Sequence, residues 1–242
     1  MVTSTPPRAP AGCALLLSAA IALMLVVVGW FYANEDLFPP NSLPWKPLVL
    51  DAPPRWIAHW QLNRLAGDGA HCRATLGTAS RLSVTALKNR KIDDRCGFTD
   101  VVRADASPLR FSPRVTATCG LTAALYWYQR QLEPVALATM HSRLTGISQL
   151  GTFSCRNVNG EAGGNRSEHA TANAIDVAVF YFADGRTVSV RKSYGKSNDA
   201  GRFLDQAHDQ ACGLFNTVLG PRYNKLHADH FHLDMGRYGI CR

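Results

Sequence analysis

The chain opens with an unbroken apolar run. From Gly12 to Ala33 no residue is charged, and Leu, Ala, Val and Ile dominate. At about 1.5 Å of rise per residue a helix of this length measures roughly 33 Å, enough to cross a hydrocarbon core of about 30 Å. A cleaved signal peptide is the alternative. The run exceeds the usual signal h-region, however, and Phe31-Tyr32-Ala33 lacks the small residue wanted two positions before a cleavage site. Cys13 stands at the start of the run, whereas a lipidated cysteine follows one. Residues 12–33 are therefore expected to be a transmembrane anchor and residues 1–11 its cytoplasmic tail. Residues 34–55 hold Pro39, Pro40, Pro44, Pro47, Pro53 and Pro54, which speaks against a helix and for a stiff, extended spacer. The rest, residues 56–242, is expected to be one domain.

Within that domain the apolar period changes several times. Trp56, Ile57, Trp60 and Leu65 recur at helical spacing, residues 67–113 look irregular with short strands, and Cys119 to His141 is helical again, interrupted or kinked at Pro134. Ala174–Phe182 is a β-branched and aromatic run followed by Asp184-Gly185, a hairpin signal, with Thr187–Lys192 as the returning strand. A helix over roughly Ala200–Leu219 and a short strand over Asp229–Met235 complete the chain. The class expected is α+β, a small antiparallel sheet with flanking helices.

Charge and cysteines set the compartment. Arg8 and the amino terminus precede the apolar run while Glu35 and Asp36 follow it, a positive-inside arrangement that puts the domain outside the cytoplasm. The expected topology is a single-pass membrane protein with its domain outside the cytoplasm. Six cysteines follow the anchor, an even number that reads as three disulfides; sequential pairing gives Cys72–Cys96, Cys119–Cys155 and Cys212–Cys241. The formal charge is +8 and Arg8 is the only charge before Glu35, so the exported part carries +7. That excess suits a polyanionic surface such as cell wall or lipid headgroups, and the compartment disfavours nucleic acid. Oligomeric state is left open.

Two clusters carry candidate chemistry. His169 follows Ser167-Glu168, and Asp176 stands in the apolar strand between Ile175 and Val177; His227, His230 and His232 form the second. In a strand His230 and His232 share a face and Phe231 takes the other. A carboxylate in apolar surroundings needs a strong partner, and a divalent cation is one. His169, Asp176 and His232 would make a three-ligand zinc site with an open fourth position. A lone H-x-H carries little weight; two compact clusters beside strands carry more.

The string SEHATANAID, residues 167–176, resembles the S-x-H-x-x-G-x-A-x-D motif of zinc peptidases that include D-alanyl-D-alanine carboxypeptidases, dipeptidases and murein endopeptidases. Ala172 stands where that motif has Gly. The second cluster, H-x-x-H-x-H, is similar to that of penicillin-insensitive murein endopeptidases. From about Cys72 to Arg242 the chain resembles the extensin-like C-terminal domain family of proteobacteria, in the strings GTFSCRNVNG, SEHATANAIDVAVF and LGPRYNKLHADHFHLDM. The resemblance implies that His169, Asp176 and His232 bind Zn2+, that His230 or His227 is the general acid and base, and that Arg156 stabilises an oxyanion. It implies a peptidoglycan hydrolase that cleaves an amide bond in murein stem peptides or cross-links. Many relatives place a Glu shortly before the last ligand and none precedes His232 directly. The alternative is thus a catalytically inactive, zinc-stabilised cell-wall binding module.

Overall fold

Residues 11–242 are described by the computed structural model. Helix α1 spans Ala11–Ala33, and its stretch Cys13–Ala33 is long and apolar enough to cross a membrane or to serve as a signal sequence. The expected cytoplasmic tail lies, but for Ala11, outside the described residues. There follow α2 (Ala58–Ala66), α3 (Gly69–Leu76), β1 (Ser83–Ala86), β2 (Arg90–Asp93), β3 (Cys96–Phe98), β4 (Val101–Ala106), β5 (Arg110–Ser112), β6 (Thr116–Thr118) and α4 (Cys119–Met140). Then come β7 (Leu144–Gln149), β8 (Ala174–Phe182), β9 (Thr187–Ser189), α5 (Val190–Ser193), α6 (Asp199–Cys212), β10 (Thr217–Leu219), β11 (Phe231–Asp234) and β12 (Ile240–Cys241). The class is α+β, as the periodicity indicates.

Helix α4 is the axis of the core. Thr118 caps it by accepting from the Leu121 N–H, and Tyr126, Trp127 and Tyr128 are fully buried. It runs through Pro134 as one helix rather than being interrupted. On one side it packs on α2, where Gly120 meets Ala66 so closely that a Cβ would lie 2.5 Å from the Ala66 methyl. Helix α6 packs on another side. Its apolar stripe, Phe203, Leu204, Ala207 and Ala211, is wholly buried.

The main sheet has the order β12-β10-β11-β8-β7-β5, with β9 also paired to β8. Its centre is antiparallel, while β5 joins β7 and β12 joins β10 in parallel. A three-stranded sheet, β1-β4-β6, and the pair β2-β3 lie apart from it.

The structure revises several expectations. The proline-rich stretch is not a free spacer: Asn41, Leu43, Leu48 and Leu50 are buried, and the Trp127 indole N–H donates to the carbonyls of Leu50 at 2.9 Å and Ala52 at 3.0 Å. Proline excludes a long helix there, but an irregular segment can still satisfy its backbone through side chains. The expected irregular region contains α3, capped by Asp68, whose carboxylate accepts from the His71 N–H. The return strand stops at Ser189, and Val190 begins a short helix.

The helix expected to reach Leu219 ends at Cys212. Thr217–Leu219 is instead β10, because pairing with β11 satisfies a backbone that a lone helical turn after Gly213 would leave exposed. Finally, the disulfides are Cys72–Cys119, Cys96–Cys155 and Cys212–Cys241, so two of the three sequential pairs are replaced by a crossed pair. Cys72 lies on α3, which packs against the start of α4 and so meets Cys119; Cys96 lies on β3, beside the loop carrying Cys155.

Candidate metal centre

Asp176 and His232 are brought together by strand register. In the antiparallel pair β8–β11, His232 lies directly opposite Asp176, as Phe231 does opposite Val177. Residues so opposed have Cβ atoms about 4.5–5.5 Å apart and project from the same face. His169 arrives from a 3-10 turn, Glu168–Thr171, whose cap Ser167 accepts from the His169 N–H at 3.3 Å. That turn closes on Ala172 in the left-handed region, φ +56°. Glycine takes this conformation without a Cβ penalty, whereas Ala172 carries one.

The three side chains converge. His169 Nε2 lies 3.1 Å from Asp176 Oδ1 and 3.2 Å from His232 Nδ1, and His232 Nδ1 lies 3.0 Å from Asp176 Oδ1. Ligand atoms about 2.0–2.1 Å from a tetrahedral zinc stand roughly 3.3 Å apart, so these separations fit the edge of such a site. All three residues are buried, His169 to 2% exposure. The other nitrogen of His232, Nε2, lies 3.0 Å from Asp234 Oδ2, and Asp234 Oδ1 accepts from the Gly236 N–H at 2.8 Å. A carboxylate behind a histidine fixes ring orientation and raises its basicity toward a cation.

The electrostatics follow from this packing. Burial would push the Asp176 carboxyl up, but hydrogen bonds from His169 and His232 and the charges of His169 and His230 hold it far below the usual range. Burial works against a charged His232, yet its bonds to Asp176 and Asp234 raise its pKa to about 9. His227 goes the other way: burial, then the neighbouring His230 and His232, push it down to about 4.

The other expected residues are also here. His230 Nε2 lies 3.5 Å from Asp176 Oδ1, and its Nδ1 is bonded to Asp229 Oδ1 at 2.8 Å. His227 sits on a 3-10 turn, Lys225–His227, with Nδ1 2.7 Å from Asn224 Oδ1 and its ring 5.3 Å from that of His230. Arg156 Nη2 reaches the second oxygen of Asp176, Oδ2, at 3.4 Å. Cys96–Cys155 tethers the residue just before it. Arg156, His227, His230 and His232 line one cleft of about 550 Å³, with Val158, Tyr223, Leu226 and Tyr238 among its other walls.

Sequence reasoning missed Asp234 and Asp229. Asp234 had a signal, since two residues after His232 it shares that residue's strand face. Asp229 had none beyond adjacency to His230. A second group among the described residues, His208, Cys212 and Cys241, has metal-like spacing. Its two sulfurs are joined in a disulfide and offer no thiolate.

Fold and cluster together define a disulfide-linked α+β domain whose buried His-Asp-His group has the geometry of a metal site. The chain belongs to the family described as Extensin-like protein C-terminus, which matches residues 70–242. No curated protein and no solved structure matches it.

Proposed function

We propose that this domain is a zinc-dependent peptidoglycan hydrolase that cleaves an amide bond in murein stem peptides or cross-links, in the periplasm, from a chain anchored in the inner membrane. The observation that carries it is the convergence of His169, Asp176 and His232 at the wall of a cleft that also presents His227, His230 and Arg156. The similarity of residues 167–176 to zinc D-peptidases supplies the substrate class. His169, Asp176 and His232 would hold the ion, which when bound polarises a carbonyl and lowers the pKa of water.

The chain's own groups do the rest. His230 Nε2, its ring held by Asp229, accepts the proton of the attacking water and returns it to the leaving amine. His227, kept neutral by its surroundings, stands ready to share that relay. Arg156 lies beside the ligand carboxylate with 40% of its side chain exposed, so it can also meet negative charge developing on substrate. The wall of Val158, Tyr223, Leu226 and Tyr238 gives a peptide apolar contact.

The test is direct. Full-length protein in detergent, with its metal content measured, is incubated with purified murein sacculi, and the soluble products are identified by mass spectrometry. Muropeptides cut at an amide, together with about one equivalent of zinc, support the proposal. Bound zinc with intact sacculi would make the domain a binding module instead. Active, metal-free protein would remove zinc from the reading.

A further inference from the structure

Trp56 and Trp60, two of the apolar residues at helical spacing, lie outside the core, Trp56 just ahead of α2 and Trp60 within it. Ile57, Ala58, Leu62 and Leu65 face the core, whereas Trp56 is 84% exposed and Trp60 47%. Trp56 precedes α2 by two residues and Trp60 is in its first turn, so both exposed indoles stand at the amino end of that helix. Arg64, a further turn on, places its guanidinium 5.5 Å from the Trp60 ring centre. Two exposed tryptophans at one helix end are costly in water, and nothing in the core needs them there.

Their neighbours show what surrounds them. Arg64 donates to the Pro44 carbonyl at 3.2 Å, and Trp45, Lys46, Trp60 and Arg64 line one surface hollow. Trp45 in turn stacks on Tyr32 in the last turn of α1, centroids 5.5 Å apart and planes at 23°. Its indole N–H donates to Glu35 at 3.0 Å, and Lys46 donates to the Glu35 carbonyl at 2.8 Å. After α1 the chain therefore turns back over the helix end instead of leading away. Asn41 ties this turn to Val49 and Pro53, and Trp127 fixes Leu50 and Ala52 to α4. Helix end, hollow and domain form one connected set of contacts.

We infer that the face bearing Trp45, Lys46, Trp56, Trp60 and Arg64 is a membrane foot, seated in the phospholipid headgroup layer of the bilayer that α1 enters. The inference rests on reading α1 as a retained membrane span. Continuity decides the occupant: whatever medium meets the last turn of α1 also meets Trp45, and Trp60 lies in the same hollow. Tryptophan belongs in that layer, with an apolar ring toward the acyl chains and an N–H toward water, and Lys and Arg reach the phosphates. The foot holds the domain against the membrane at a set orientation.

The test uses full-length protein in vesicles of phosphatidylcholine and phosphatidylglycerol, with or without bromine at a shallow acyl position. Trp30→Phe removes the emission of α1, and buried Trp127 serves as an internal reference. Bromolipid should quench this protein, and adding Trp56→Gln and Trp60→Gln should remove about half or more of that quenching. Both side chains lie outside the core, and circular dichroism checks that the fold persists. Protein that floats with the vesicles, but whose quenching the double substitution leaves unchanged and whose Trp56 and Trp60 yield to aqueous iodide, overturns the foot alone. Protein that does not float, or whose intact mass lacks α1, overturns the anchor and the foot together.

Discussion

His230 and His232 stand two residues apart on one face, yet alanine at each should fail differently. His232→Ala should lose zinc and murein cleavage together. His230→Ala should keep most of its zinc while turnover falls by about 10²–10⁴-fold, as for loss of a general acid–base group. His227→Ala is the comparison: a dead His227 variant beside an active His230 variant would exchange their roles. Asp234→Asn tests the support behind His232. It should weaken zinc affinity by about 10–100-fold in a chelator competition, leaving the disulfides and circular dichroism unchanged. At this scale the sequence was readable where a residue contradicts its surroundings. Asp176 between Ile175 and Val177 is such a contradiction, and His169 to His232 follow from it. Asp234 drew no attention because an acidic residue near a chain end is ordinary until the register shows it behind a histidine.

Elements with a complete apolar period, α4 and β8, were legible almost to the residue. Those fixed by partners were not. Val218 continues the apolar spacing of α6 but belongs to β10 because β11 and β12 flank that strand on either side. The Cys212–Cys241 bridge joins the end of α6 to β12 and closes a span of 29 residues. Replacing both with serine should cost about 3–4 kcal/mol on the chain-entropy account, read by urea unfolding. It should also loosen β10, the neighbour of His232.

The proline-rich segment offers a pH test. Burial would raise the Asp51 carboxyl, but hydrogen bonds from Tyr126 and the Ser80 N–H, with Arg130 nearby, hold it below the ordinary value. A depressed pKa means its stabilisation is present above about pH 4 and lost as pH falls through the folded value. Asp51→Asn should therefore melt lower than wild type near neutral pH. It should show a shallower loss of stability between about pH 5 and pH 3.

For the whole molecule, a charge of +7 beyond the apolar helix predicts salt-sensitive association with sacculi. Pull-down of the His232→Ala protein should decline as ionic strength rises past about 0.15 M, where screening acts within about 8 Å. If binding persists undiminished in molar salt, charge is not what draws the domain to the wall.

The interleaving of Cys72–Cys119 with Cys96–Cys155 bears on how the molecule is made. A chain that crosses into an oxidising compartment from its amino end delivers Cys72 and Cys96 before either has its native partner. An oxidant joining thiols in order of arrival makes the wrong link, which a later thiolate must open by exchange. Yield of mature protein is then set by a reshuffling catalyst rather than by oxidising power. Cells deprived of disulfide reshuffling should accumulate chains linked Cys72–Cys96, seen by non-reducing peptide mapping, while Cys212–Cys241, consecutive in order of arrival, still closes normally.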